Sequence, residues 1–288
     1  MSYTELLKSY EYSINLTKRN AKNFYYGICV LPEKRKRSLC AFYAFTRLCD
    51  DVSDNQNKPA SEKNKEFSII RNRLESLFVE KPSDIFWLAL RDTIKRYKIN
   101  PGYLFDVING TEMDLKKNRY KDTEELNKYC YLVAGSVGIV TLHILGVNNE
   151  EAFGYGKMMG RAFQYTNILR DIIEDKKNGR IYLPSTLLDK YSYSESDIDN
   201  KKVNKNFFDL INELVQYTRQ SYKEGEKVFY YIHNYRCRLS VSIMSAIYYS
   251  LLEKISRTPS IILTKNVSLS LQEKYFILLK EIFKNIRF

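Results

Sequence analysis

Gln164-Tyr165-Thr166-Asn167-Ile168-Leu169-Arg170-Asp171-Ile172-Ile173-Glu174-Asp175 carries two helical stripes at once. Ile168, Leu169, Ile172 and Ile173 recur with the spacing of one helix face. Gln164, Asn167, Asp171 and Asp175 fall on another, with Arg170 and Glu174 beside them. The stretch predicts an amphipathic helix whose polar side holds two aspartates four residues apart. Like charges at that spacing destabilise an isolated helix by roughly 0.2–0.5 kcal/mol. A bound cation would offset this, and hard carboxylate oxygens suit Mg²⁺. Amide, carboxylate and guanidinium groups together suit metal plus phosphate, because Arg takes phosphate oxygens bidentately. The alternative is a surface helix laced with ion pairs.

The pattern occurs a second time, in Asp50-Asp51-Val52-Ser53-Asp54. Tyr43, Arg47, Asp50 and Asp54, at spacings of 4, 3 and 4, lie on one stripe, flanked by the apolar or small Phe42, Phe45, Leu48 and Cys49. A charged stripe in an apolar helix faces a wet cavity or a partner charge, since a buried unpaired charge is costly. A solvated face with an Arg–Asp pair is the alternative here. Two such faces opposed across a cavity would hold a Mg²⁺ cluster and a substrate diphosphate between them. Arg180-Ile181-Tyr182-Leu183-Pro184 follows the second pair directly, so Arg180 either closes over a phosphate there or caps the preceding helix.

Working outward, the 3.6-residue period covers most of the chain. It predicts helices at 3–19, 33–54, 62–79, 83–98, 101–116, 123–146, 149–176, 204–233, 237–256 and 268–286. Asp122 with Glu125 and Asn148 with Glu151 read as capping boxes, and Pro101 suits a first turn. Loops fall near 55–61, 176–184 and 191–204, the last a Ser/Asp/Asn/Lys stretch read as a mobile surface loop. With only 11 Gly and 6 Pro there is little turn material for many short strands. No fixed-period repeat and no hinge between two cores stands out, so the expected fold is one all-α domain over 1–288. Within the predicted helix at 123–146, Ala134, Gly135, Ser136 and Gly138 are small. Each interior Gly costs about 1 kcal/mol relative to Ala. Such residues fit close approach, either of a neighbouring helix or of a long apolar substrate.

Bulk composition narrows the function classes. The net charge of +12 fits a Lys-rich solvated surface and also favours anionic lipid or phosphorylated ligands. No zinc-finger spacing or RNP-like motif points to nucleic acid. The five cysteines are scattered without a CxxC, which argues for a reducing compartment. His143 and His233 alone argue against a His-rich zinc site or a His-based triad. The N-terminus lacks a signal-peptide pattern, and the apolar run Val241–Leu252 is too short to span a bilayer. A cytoplasmic protein is expected, with peripheral membrane contact as an option.

Four ordered blocks resemble the squalene/phytoene synthase family. Met159–Pro184 resembles its second signature, with Gly, Gln, Asn-x-x-Arg-Asp, acidic and Arg-x-Tyr-x-Pro elements in register. Tyr129–Ile144 resembles the first signature, with Thr141 where Leu, Met, Ser or Cys is usual. Arg47 with Asp50–Asp54 resembles the first aspartate-rich motif, and Asn23 through Pro32 the N-terminal segment, where Ser commonly stands at the Asn23 position. The similarity runs from about residue 15 to 190.

The resemblance implies an isoprenoid-synthase bundle around a central cavity and head-to-head coupling of two allylic prenyl diphosphates. It implies that Asp50, Asp54, Asp171 and Asp175 bind a Mg²⁺ cluster, with Asp51 auxiliary. Arg47 and Arg170 would contact diphosphate, joined by Arg180, while Gln164 and Asn167 order metal ligands and water. Phe24, Tyr43, Tyr129 and Tyr248 would line a dry cavity that stabilises a carbocation. Tyr129 matches the family tyrosine implicated in proton handling, the released diphosphate being the alternative base. Gly110–Leu115 and Phe24–Gly27 look most like bacterial presqualene diphosphate synthases, which use C15 units. Lys116–Lys121 up to Tyr129 looks as much like phytoene synthases, which use C20 units. Ile28 and Cys40 stand where some C30-forming relatives carry bulky aromatics, leaving room for a longer chain. No NADPH-dependent step is expected, and the protein is expected to be a monomer or weak dimer. A non-catalytic assembly factor, a membrane-surface binding protein and a prenyl hydrolase or cyclase remain as alternatives. The four aspartates argue against the first, and the Tyr129 block with Arg180–Pro184 against the last. The amphipathic end, Leu269–Phe288, would suit lipid substrates.

Overall fold

The computed structural model describes residues 3–286 apart from 22, 80, 81 and 83. Ser83, at the start of one predicted helix, and Arg287 and Phe288, at the end of the amphipathic stretch, lie outside the described residues. Helices dominate: α1 Tyr3–Asn20, α2 Tyr25–Ile28, α3 Glu33–Asp54, α4 Ala60–Val79, α5 Ile85–Tyr97, α6 Gly102–Met113, α7 Thr123–Cys130, α8 Ser136–Leu145, α9 Glu150–Arg170, α10 Ile172–Lys177, α11 Ser185–Lys190, α12 Glu195–Asp199, α13 Lys205–Gly225, α14 Tyr235–Arg257 and α15 Leu271–Ile286. No strand forms among the described residues, so the fold is all-α as expected.

Helix α9 sits at the centre, packed against α8, α13 and α14. Small residues set its distance from α8. A Cβ on Gly138 would lie 2.5 Å from the Gly156 carbonyl, and one on Gly160 would lie 2.3 Å from the Ala134 carbonyl. The pairing of 138 with 156 and of 134 with 160 makes the two helices antiparallel. Two apolar clusters flank the cavity, one built around α9, α13 and α14, the other around α3, α6 and α8. Phe24 and Phe163 pack against both.

Several predicted elements differ in detail. The helix at 123–146 contains a π turn over Tyr131–Gly135, in which the Ser136 N–H bonds to the Tyr131 carbonyl. This whole segment is long and apolar enough to cross a membrane by length and composition, but half of it is buried and it lines the cavity, as a core helix does. The helix at 149–176 bends at Asp171, which leaves helical geometry at φ −106° and ψ 15°. The Asp171 N–H still bonds to Asn167 and its carbonyl accepts from Asp175, so the bend costs no loop. The cap of α9 is Asn149, bonded to the Ala152 N–H, rather than Asn148. Asp122 caps α7, whereas the Glu125 carboxylate accepts from Lys121 instead of closing the box on Asp122. The 191–204 stretch is no featureless loop: it holds α12, opened by a Ser194–Asp197 capping box. Arg119 clamps it through both Glu195 oxygens, at 2.5 and 2.7 Å. The Ser and Asp that read as loop chemistry are capping chemistry here.

Candidate active site

Three helices end at one place, and each brings carboxylates there. Asp50 and Asp54 close α3, Asp114 is the C-cap of α6, and Asp171 is the C-cap of α9, with Asp175 one turn into α10. Helix C-termini carry partial negative charge, so anions there are disfavoured even before they meet one another. The electrostatics show the crowding. Burial, then Asp54, pushes the Asp50 carboxyl up to about 7, against the pull of Arg47. Burial, then Asp171, pushes Asp175 up to about 8, against Arg180. Burial likewise pushes Asp114 up to about 6, although Arg180 and the hydroxyls of Tyr182 and Tyr129 favour its anion.

Arginines from both halves hold this cluster. Arg170 Nε and Nη2 grip the two Asp171 oxygens at 2.7 and 2.5 Å. Arg180 crosses to the first half, with Nη1 2.9 Å from Asp54 Oδ1 and Nη2 3.2 Å from Ser53 Oγ. Its backbone N–H meanwhile bonds to the Asp175 carbonyl, so the main chain of Arg180 closes the end of α10 while its side chain reaches α3. Arg47 turns to the exposed Asp51 at 2.5 Å, not along its stripe to Asp50 or Asp54. Its Nε is left buried with no hydrogen-bond partner.

Below the carboxylates lies an apolar cavity. Its α3 wall runs Asp50, Thr46, Tyr43, Phe42 and Leu39, and its α9 wall runs Asn167, Gln164, Phe163, Gly160 and Gly156. On both walls the polar groups stand at the C-terminal end and apolar or small residues below. Phe24 and Ile28 line it from α2 and the turn before it, and Ala134, Val137 and Gly138 from the π turn and α8. The small residues at the α8–α9 contact thus bring the two helices close and also line this cavity. Burial pushes the Tyr43 hydroxyl up to about 12.

Of the residues singled out from sequence, Phe24, Tyr43, Asp50, Gln164 and Asn167 share this cavity. Arg170 and Asp171 instead line an adjoining cleft with Lys177 and Lys265, and Asp175 and Arg180 a narrow gap beside Tyr182. Tyr129 and Tyr248 stand behind the lining, not in it. Tyr248 is covered by Phe24 and Phe163, whose rings each lie 4.8 Å from its own, and its hydroxyl meets Arg170. Tyr129, Tyr120 and Tyr182 form a triangle of rings with centroids 5.1–5.6 Å apart, and the Tyr129 hydroxyl lies 3.0 Å from Asp114 Oδ2 and 3.2 Å from the Tyr182 hydroxyl. Burial and then Asp114 hold the Tyr129 hydroxyl well above its ordinary range, so it stays protonated. Cys40 also misses the cavity; its carbonyl accepts from Thr17 on α1.

Asp114 and Tyr182 were not assigned a role from sequence. Asp114 accepts from Tyr182 at 2.7 Å and couples electrostatically to Asp50, Asp54, Asp175 and Arg180. It has no acidic partner a helical turn away, so the paired-aspartate criterion passes over it. Its signal was its place at the end of Gly110–Leu115, a segment already similar to the family.

The residues present fit Mg²⁺. Among the described residues no three acidic, His or Cys side chains are grouped tightly enough to enclose an ion alone. Mg²⁺ does not need such a cage, since it keeps waters and takes one or two carboxylates plus substrate phosphates. The donors here are hard oxygens, and Asn167 Oδ1 is a buried acceptor without a partner beside them.

Comparisons with known proteins point to one family. Residues 17–273 match the family model described as squalene/phytoene synthase. A phytoene synthase from Arthrospira platensis is 33% identical over 86% of this chain and 84% of its own. A chloroplastic phytoene synthase from Narcissus pseudonarcissus is 35% identical over 72% of this chain, and the match spans 50% of its length. A dehydrosqualene synthase crystallised with ligand superposes with a TM-score of 0.90 at 26% identity, over 99% of both chains. A squalene synthase from Alicyclobacillus acidocaldarius shares the fold, with a TM-score of 0.82 at 23% identity over 89% of this chain and 96% of its own.

Proposed function

The chain belongs to the squalene/phytoene synthase family, a family of prenyltransferases, and on that premise we propose that it joins two allylic prenyl diphosphates head to head. The observation that carries the reading is the convergence of carboxylates from three helix ends over an apolar cavity. Asp50 and Asp54 at the end of α3, with Asp171 and Asp175 where α9 passes into α10, would hold the magnesium. When bound, Mg²⁺ supplies charge neutralisation for the departing diphosphate.

The chain's own residues do the rest. Arg47, Arg170 and Arg180 present guanidinium groups to phosphate oxygens once their pairings with Asp51, Asp171 and Asp54 open. The buried Arg47 Nε is a donor awaiting an acceptor, and the Asn167 amide oxygen an acceptor awaiting a donor. Asn167 and Gln164 order water and metal ligands at the cavity's polar end. Below them the cavity excludes water that would capture an allylic cation, and the rings of Phe24 and Tyr43 face it without a nucleophilic anion. Attack by the second prenyl double bond, followed by proton loss, closes a cyclopropane. Tyr129 keeps a proton at its hydroxyl oxygen beside Asp114, and the released diphosphate accepts the one lost from carbon.

For the substrate we favour two C15 farnesyl diphosphates giving presqualene diphosphate, supported by the full-length likeness to a dehydrosqualene synthase. A C20 reading, two geranylgeranyl diphosphates giving the phytoene skeleton, is supported by Ile28 in the lining and by the phytoene synthase relatives. A non-catalytic assembly factor would have no need of all four aspartates. The test is incubation of the purified protein with Mg²⁺ and either the C15 or the C20 diphosphate, with and without NADPH, and identification of products by mass spectrometry. A C30 product from the C15 substrate is expected; a C40 product alone selects the second reading, and no coupled product refutes both.

A further inference from the structure

Helix α15 packs Ile277, Leu278 and Ile282 against the core, yet it leaves a second set of apolar residues outside. Its polar Glu281 and Asn285 are buried, where Glu281 accepts from Ser242 on α14 and Asn285 donates to the same hydroxyl at 3.3 Å. Its apolar Leu271, Phe276 and Phe283 are 75%, 70% and 66% exposed, and Tyr275 is 58% exposed. Tyr275, Phe276 and Phe283 fall within one outward stripe, with Lys280 and Lys284 exposed among them. No acidic residue of α15 is exposed: Glu273 is half-buried and ion-paired to Lys254, and Glu281 is buried.

We propose that the outward face of α15 docks the protein on an anionic lipid surface. Aromatic rings beside lysines match the interface of a bilayer, where rings sit at headgroup depth and lysine stems reach up to phosphates. Charge selects this occupant over a second copy. Self-association through this face would bring Lys280 and Lys284 of two molecules together, each with a net charge of +12. An anionic membrane reverses that sign. The buried polar contact through Ser242 fixes the helix in the orientation that leaves the rings outside. This goes beyond the coupling reaction and does not depend on it.

The test is flotation of the intact protein with vesicles of phosphatidylglycerol and phosphatidylcholine in equal parts, against pure phosphatidylcholine. The protein should float with the anionic vesicles, and high salt should release it. Lys280→Gln with Lys284→Gln should weaken binding by roughly 30-fold, from about a fivefold contribution per lysine. Tyr275→Ser, Phe276→Ser and Phe283→Ser together should abolish it. All substitutions lie on the outside, so circular dichroism should be unchanged, and turnover of detergent-dispersed substrate should be unchanged too. If the triple variant does not fold, the lysine variant decides. Binding equal to wild type in the lysine variant, or no binding by the wild type, overturns the proposal. So does a dimer in light scattering that the triple variant dissolves. Vesicle binding without any coupling activity would refute the prenyltransferase reading and leave this one standing.

Discussion

Asp114 shows what a single residue does here that its neighbours do not. It connects the aspartates of α3 and α10 to the Tyr129–Tyr182 hydroxyls, so it sets the charge and the proton position at once. Asp114→Asn keeps a hydrogen-bond acceptor but removes the charge. Turnover should fall by about tenfold or more, while the metal-free protein melts higher, because a buried carboxylate crowded by others has gone. A turnover equal to wild type would detach Asp114 from the site. Asp50→Asn and Asp171→Asn should each abolish turnover with the fold intact by circular dichroism; full activity in either would remove that residue from the metal-binding set. The two aspartate pairs were legible in sequence because a helix makes residues four apart neighbours. Asp114 was not, because its partners come from other helices and no local spacing records them.

At the scale of elements, the α8–α9 contact and the Arg180 crossing do the positioning. The small residues around Gly135 and Gly138 read as a close approach, and the structure shows why: backbone carbonyls of one helix occupy the space a side chain would need on the other. Gly160→Ala places a methyl group against the Ala134 carbonyl, so thermal denaturation should show a loss of roughly 1–3 kcal/mol, with activity lost alongside. Arg180→Lys keeps the charge but loses the fork that spans Asp54 and Ser53. The apparent KM for the diphosphate substrate should rise about tenfold in steady-state kinetics, more than kcat falls. The sequence pattern carried the helices but not their interruptions. The π turn at Tyr131–Gly135 adds a residue inside an apolar run, and the bend at Asp171 keeps its backbone hydrogen bonds, so neither leaves a turn signal in the sequence. The 191–204 stretch failed for the opposite reason. Its polar residues satisfy a capping box and an ion pair with Arg119, contacts that composition alone reads as solvent-facing.

For the molecule as a whole, the fold gathers negative charge at the mouth of an apolar cavity, and stability should record this. In the metal-free protein Asp50 and Asp175 bind protons up to about 7 and about 8, while the unfolded chain releases them near pH 4. The folded state thus holds more protons than the unfolded state, and stability is lost as pH rises from about 4 towards 8. With EDTA present, the melting temperature should fall across that window, and Mg²⁺ with pyrophosphate should restore it at the alkaline end; a flat profile would show that these carboxylates are solvated and unstrained. The all-α class was legible from the period and the scarcity of Gly and Pro. Which aromatics face the cavity was not. Tyr129 and Tyr248 sit on the expected helices but behind other rings, and rotation about a helix by one position decides that outcome.

In the proposed function two aspartate helices act as halves of one metal-dependent diphosphate clamp. Calorimetric titration with an S-thiolo farnesyl diphosphate, which resists ionisation, measures this directly in wild type, Asp50→Asn and Asp171→Asn, with Mg²⁺ or with EDTA. Binding should require Mg²⁺ and should be lost in both variants. Equally tight binding in EDTA, or binding that survives removal of either aspartate, would contradict it.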